Sequence, residues 1–328
     1  MKVLQNIKTD LVVAIDIETV RLVEKFEDLD EGTQSAWEYK NKQDGEIPDY
    51  DKLAQMWEKN SSLYAEFSKV CAVSISFLHE GRLYCKEFFG RDEKQILEQL
   101  AVTLNNMQAK NSSYRLVGHA SKYFDYPYLC KRYIINGLDI PNVLDTTALK
   151  PWEGMNLCTN ELWKVGGTGA GSSLQALCNA LQVPISKVDL VGDEVGKAYF
   201  NGELERIGRY CSYDTIATFN VIRKFKKEEI FSFENTTYVT FYTEAENTEK
   251  EVEQKQPLLK QIWAQKRITE ENKKELLEIL NKQKLTKKDK EKVLDLVSAS
   301  LAEIDQNFGK VVNQKQIDEI INQLKEEI

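Results

Sequence analysis

Apolar runs alternating with amphipathic stretches predict an α/β fold. The expected architecture is a mixed sheet flanked by helices, with a small α-helical region at the C-terminus. Three observations carry this. Leu11-Val12-Val13-Ala14-Ile15-Asp16-Ile17-Glu18-Thr19 reads as a buried strand, apolar and rich in β-branched residues. Three further strand-like runs follow before residue 120, with a helical pattern set ahead of the last. Past residue 269 only helical periodicity recurs.

At 328 residues the chain has room for one large domain and a smaller one. With 42% apolar and 29% charged residues it reads as a globular protein with a charge-rich part. A net charge of −8 argues against a protein that coats nucleic acid non-specifically. It leaves room for an enzyme that handles nucleic acid in one groove. The six cysteines are scattered without a C-x-x-C, as expected of buried thiols in a reducing compartment. Met1-Lys2-Val3-Leu4 opens no signal peptide and no apolar run is long enough to span a bilayer, so a cytoplasmic location is expected.

The first strand carries two carboxylates. Side chains alternate across a strand, so Asp16 and Glu18 share one face. Two like charges on a core strand are costly unless a cation neutralises them, and Lys8 and Arg21 lie outside the apolar run. A divalent metal is the natural candidate. For an isolated Asp-x-Glu the commoner explanation is a strand end reaching water, so the rest of the chain must decide.

A polar insertion, about 20–68, follows with Trp37, Tyr39, Tyr50, Trp57 and Tyr64. Tyr50, Leu53 and Trp57 have helical spacing. We expect these aromatics to anchor the insertion; the alternative is a flap whose rings stack on bases. Val70–Leu78 and Arg82–Phe89 are predicted strands joined by the turn His79-Glu80-Gly81-Arg82. Asp92 caps a helix with Ile96, Leu97, Leu100 and Leu104 on its apolar face. Ser113–Val117 is the fourth strand, Phe124–Asn136 a helix, and Asn142–Leu144 a short fifth strand ending in Asp145. Three strands able to pair antiparallel, then strand, helix, strand, is the order of a ribonuclease-H-like sheet.

The stretch Gly166–Ser173 lacks the Lys of a phosphate-binding loop and follows no convincing strand, so it reads as a loop ahead of the helix Ser173–Leu181. The long helix Glu203–Lys226 places Tyr210 and Asp214 at i and i+4, on one face. Beyond it, about 231–268 reads as a linker. Residues 269–328 hold three helical patterns, capped by Thr269, Thr286 and Asn313. They read equally as a small bundle and as a docking module. The domain expected to do the chemistry is 1–230.

Four carboxylates thus stand at the edges of core elements: Asp16, Glu18, Asp125 and Asp214. Carboxylate oxygens suit hard divalent cations, and two such ions can hold a phosphodiester between them. A phenol nearby, Tyr210, could orient the attacking water or help take its proton.

Asp16-Ile17-Glu18-Thr19 resembles the first motif of the DEDD superfamily of 3′–5′ exonucleases. Gly118-His119-Ala120-Ser121-Lys122-Tyr123-Phe124-Asp125-Tyr126-Pro127-Tyr128-Leu129 resembles the second and Tyr210-Cys211-Ser212-Tyr213-Asp214 the third. The Tyr-x3-Asp spacing is that of the tyrosine subgroup; the position that carries His in the other subgroup is Arg209. The chain resembles stand-alone relatives of the proofreading domain of family B DNA polymerases, a likeness extending over about 10–225. Ser173–Leu177, Asp193 and Tyr199–Gly202 also fit that group.

The resemblance implies two ions, Mg²⁺ or Mn²⁺, held by Asp16, Glu18, Asp125 and Asp214. Asp16 would bridge both, Glu18 and Asp214 would hold the ion that activates water, Asp125 would support the second, and Tyr210 would position the nucleophile. Thr19, His119 and Phe124 are the implied substrate contacts, and a single-stranded DNA 3′ end the implied substrate. Proofreading would then occur in trans, with the C-terminal helices docking on a DNA polymerase or another replication protein. The second motif usually has an Asn where this chain has Ala120. Its neighbour His119 is either packed at a strand end, the reading we expect, or a substitute contact. An exoribonuclease and a non-catalytic binding subunit are the rival readings; retention of all four carboxylates and the tyrosine counts against the latter.

Overall fold

The computed structural model describes residues 1–146, 154–185 and 190–243, apart from the side chain of Asp193. The helices expected over 269–328, and the linker beyond residue 243, lie outside the described residues. Strands β1 (Val12–Arg21), β2 (Ser68–His79), β3 (Arg82–Gly90), β4 (Arg115–Gly118), β5 (Leu157–Cys158) and β6 (Thr237–Thr243) form one sheet. Its order is β5-β4-β1-β2-β3-β6. The first three strands pair antiparallel, while β4, β5 and β6 join their neighbours in parallel. This is the expected ribonuclease-H-like mixed sheet.

The helices are α1 (Glu31–Lys40), α2 (Tyr50–Asn60), α3 (Glu93–Lys110), α4 (Asp125–Ile135), α5 (Thr159–Lys164), α6 (Leu174–Leu181), α7 (Val195–Phe200) and α8 (Leu204–Lys226). The near-continuous apolar run of β1 follows from burial on both faces. Val13, Ile15 and Ile17 join Leu97, Leu100, Leu129 and Tyr133 of α3 and α4 on one side. Val12 and Ala14 meet Ile216, Phe219 and Ile222 of α8 on the other. Alternation therefore turns Asp16 and Glu18 toward α8.

Two expectations are corrected. Asn142–Leu144 is not a strand: Pro141 opens a turn in which Leu144 N–H donates to the Pro141 carbonyl at 2.8 Å. The side chain of Asn156 bridges this turn to β4, accepting from Leu116 N–H and donating to the Val143 carbonyl. The parallel neighbour of β4 is instead Leu157–Cys158. The Thr-rich stretch taken as the start of a linker contains β6, paired along seven residues with β3. Threonine and tyrosine suit an edge strand, and polarity masked that signal. The body of the domain therefore reaches at least residue 243 rather than 230. Gly90 makes the join possible: its φ is +147°, and an added Cβ would sit 2.1 Å from the Thr243 carbonyl oxygen.

The insertion builds a small core of its own from Phe26, Trp37, Leu53, Trp57 and Phe67. Trp37 and Trp57 meet edge to face with centroids 5.3 Å apart, holding the insertion together from within. Tyr39 and Tyr50 point outward, at 73% and 49% exposure. Among the described residues no helix is long and apolar enough to cross a membrane.

Candidate active site

β1 outruns β4: their pairing covers only Val12–Ala14, so beyond Gly118 the β1 edge is open. The chain leaves β4 through a tight bend and enters α4 at Asp125. Gly118 is needed there, because a Cβ would lie 2.5 Å from that of Ser121. Asp125 is 4% exposed and accepts a hydrogen bond from the Ile17 backbone N–H on that open edge. A carboxylate at the N-terminus of α4 is also favoured by the helix dipole.

From the opposite face α8 brings Tyr210 and Asp214. Glycine at 208 lets the helix approach, since a Cβ there would meet the Phe89 ring at 2.4 Å. A bulge between Glu18 and Thr19 in the β1–β2 pairing bends the strand beside the site. Asp16 and Glu18 are thus close enough to Asp125 and Asp214 to feel their charges. Burial, then the charges of Asp125, Glu18 and Asp214, hold Asp16 well above the usual carboxylate range. Burial, then Asp214 and Asp125, do the same to Glu18. Burial raises Asp125 to about 7 against the pull of the Asp125 and Ile17 N–H groups. Burial raises Asp214 to about 6, opposed by a hydrogen bond from Tyr210. Among the described residues no Lys or Arg forms an ion pair with any of the four.

This donor set fits the implied divalent ions. Asp16 and Glu18, raised further by the charges of Asp125 and Asp214 and without an ion-pair partner among the described residues, offer hard oxygen donors whose charge a divalent cation would neutralise. One thiol is set among them: ligand atoms of Asp16, Glu18 and Cys211 all lie within 4.8 Å of one another. Cys211 stands inside the third motif and is buried as the cysteines were expected to be; its closeness to Asp16 and Glu18 is visible only in three dimensions.

Tyr210 is partly buried, and burial followed by the charges of Asp214, Glu18 and Asp16 pushes its phenol far above the ordinary value. It therefore stays protonated at neutral pH and acts as a hydrogen-bond donor. Thr19 is tied to the insertion, its Oγ1 donating to the Ser62 carbonyl at 2.8 Å. The Phe124 ring packs at 5.2 Å from that of Tyr128. Both ring nitrogens of His119 are engaged, with Thr159 Oγ1 at 2.9 Å and the Ser172 carbonyl at 2.7 Å. A packed histidine, its basicity lowered by burial, is the reading this geometry supports.

Ala120 has φ +61°, the left-handed region that Asn adopts more readily than Ala. Ala120→Gly should therefore stabilise the fold by about 0.5–1 kcal/mol, relief of the strain outweighing the entropy of glycine. Urea denaturation checks this; an unchanged or lowered midpoint would show that the bend is not strained.

The raised carboxyls also set a pH dependence. An acid with a folded-state pKa above its unfolded value stabilises the fold fully below the unfolded pKa, and the contribution fades as pH rises through the folded value. For Asp214 and Asp125, at about 6 and about 7, the chelated protein should lose thermal stability between about pH 4 and pH 7. Melting curves in EDTA across that range test it, and a rising midpoint would contradict the burial of these two carboxyls as the cause of their raised pKa.

A family described as predicted 3′–5′ exonucleases related to the exonuclease domain of PolB matches residues 60–266. No curated protein matches the chain. The match includes Asp125, Tyr210 and Asp214 and runs through β6, but begins after Asp16 and Glu18, which the sheet itself brings to the other three. With more than half of its length matched and this sheet around the acidic cluster, the chain belongs to the PolB-related 3′–5′ exonuclease family.

Proposed function

We propose that the protein is a metal-dependent 3′–5′ exonuclease that removes nucleotides from single-stranded DNA 3′ ends. The observation that carries this is the convergence of Asp16, Glu18, Asp125 and Asp214, all raised in pKa by burial and the first two also by their neighbours' charges, beside a protonated Tyr210. Mg²⁺ or Mn²⁺ at these oxygens would neutralise the cluster and stabilise charge on the attacking and leaving oxygens of the phosphodiester.

The chain's own residues do the rest. Asp16 and Glu18 are held rigidly by β1, and Asp125 by the start of α4, so little reorganisation is needed to receive a cation. Tyr210, kept neutral, donates a hydrogen bond and can hold the attacking water by its oxygen. The net charge of −8 leaves little non-specific attraction for the polyanion, which supports capture of an end in one site rather than binding along a strand. Residues 269–328, for which the sequence predicts helices, are the proposed dock for a replication partner.

Digestion of 5′-labelled DNA and RNA oligonucleotides in Mg²⁺, Mn²⁺ or EDTA tests the reading. The expected result is a ladder shortening from the 3′ end of DNA, abolished by EDTA. Equal or faster loss of RNA would reassign the substrate, and no cleavage in any metal would remove the catalytic reading.

A further inference from the structure

Beneath α8 a line of buried polar side chains leads away from the carboxylates. Glu87 of β3 is 1% exposed and accepts at both oxygens: from Ser212 Oγ of α8 and from Thr240 Oγ1 of β6, each at 2.8 Å. Arg209 Nη1 lies 3.0 Å from the first oxygen. Ser212 Oγ is 3.1 Å from Ser74 Oγ, and Ser74 is the cross-strand partner of Asp16. Cys211 stands next to Ser212 on α8, and its Sγ lies 3.4 Å from the Asp16 carbonyl oxygen and 3.6 Å from its Oδ2. Hydrogen bonds thus run from the edge strand β6 through Glu87 and Ser212 to Ser74, and Cys211, beside Ser212 on α8, reaches Asp16 itself.

Adhesion of a helix to a sheet does not call for this. Apolar side chains would seal the same seam without the desolvation cost of a buried carboxylate. What the carboxylate adds is direction. It can only accept, so Ser212 spends its proton on Glu87 in preference to the weaker Gly208 carbonyl at 2.9 Å. The bond between the two serines is then donated by Ser74. With both hydroxyl protons pointing away from the site, the Cys211 S–H is the donor left for Asp16.

We propose that Glu87 is a positioning residue for Asp16: through Ser212, Ser74 and Cys211 it fixes the height of α8 over β1 and the orientation of the Asp16 carboxylate. The inference rests on reading the four carboxylates as a divalent-cation site. Glutamine at 87 keeps the shape but supplies an N–H₂, which can donate to Ser212 and reverse the line.

The neighbouring rung provides a control. Ser76 Oγ lies 2.9 Å from Thr215 Oγ1, between the same two elements but opposite Ala14, away from the carboxylates. Mn²⁺ affinity by calorimetry, melting in EDTA and single-turnover cleavage should be measured on the full chain, Glu87→Gln, Ser212→Ala and Ser76→Ala. Glu87→Gln should weaken Mn²⁺ binding about tenfold, the lower range for a partner behind a metal ligand, and slow cleavage with KM unchanged. Ser212→Ala should move the same way, and stands in if Glu87→Gln does not fold. Ser76→Ala should lower the melting midpoint yet bind Mn²⁺ within about twofold of wild type. Wild-type affinity in Glu87→Gln and Ser212→Ala, or equal weakening in Ser76→Ala, overturns the positioning role. A wild-type chain that takes up no Mn²⁺ overturns the cation site, and the inference with it.

Discussion

Asp16→Asn is expected to abolish cleavage, by on the order of 10³-fold or more, while raising the stability of the chelated protein. Loss of one ligand from a site that stabilises transition-state charge forfeits several kcal/mol, and each 1.36 kcal/mol is tenfold in rate. The stability gain has the opposite origin. Burial, together with Asp125, Glu18 and Asp214, opposes ionisation of Asp16. A neutral amide of the same shape removes that repulsion and keeps a group able to accept from the Cys211 thiol. The two readouts therefore move in opposite directions, which a disrupted fold does not produce. Melting in EDTA at pH 7.5 and single-turnover digestion measure both. Cleavage at the wild-type rate would show that the site is assigned wrongly. A lower midpoint would show that Asp16 is stabilised by a partner the cluster does not contain.

Much of this site is legible in the sequence because its residues sit where periodicity is strong. Asp16 and Glu18 interrupt a long apolar strand, and Tyr210 and Asp214 lie one turn apart on a long amphipathic helix. What escapes the sequence depends on contacts distant along the chain. β6 is polar and reads as a linker; only pairing with β3, more than 140 residues earlier, makes it a strand. The three residues at 142–144 have strand-forming character, yet Pro141 and the bridging Asn156 hold them in a turn. Glu87 could have been flagged, since Lys86-Glu87 puts two charges inside an otherwise apolar strand. Its partners on α8 and β6 could not. Arg209, noted for standing where the other subgroup has histidine, turns toward Glu87 and lies over the Tyr238 ring at 4.3 Å. Its charge serves the seam between helix and sheet.

The second large effect concerns Tyr210, where the mechanism rather than the ligand set is at stake. Tyr210→Phe keeps the ring packed against the apolar cluster that includes Phe89 and Tyr199 and keeps all four carboxylates; it removes one hydroxyl. That hydroxyl now hydrogen-bonds Asp214, lowering the pKa of a carboxyl that burial otherwise raises to about 6. Its loss should push Asp214 further up, so the pH at which activity rises should move toward alkaline. Because the phenol stays protonated at neutral pH, the role proposed for it is to orient water rather than to accept the water's proton. Loss of positioning or general acid–base help costs on the order of 10²–10⁴ in rate. The expected result is single-turnover cleavage slowed by about 10², clearly less than by Asp214→Asn, with Mn²⁺ affinity within about threefold of wild type. A tyrosine that merely packs on α8 with its hydroxyl toward water would leave both rate and pH profile unchanged on conversion to Phe. That outcome would remove Tyr210 from the mechanism while sparing the carboxylates. A loss as deep as that of Asp214→Asn, with Mn²⁺ affinity falling alongside, would instead place Tyr210 in support of the ligand Asp214 rather than of the water.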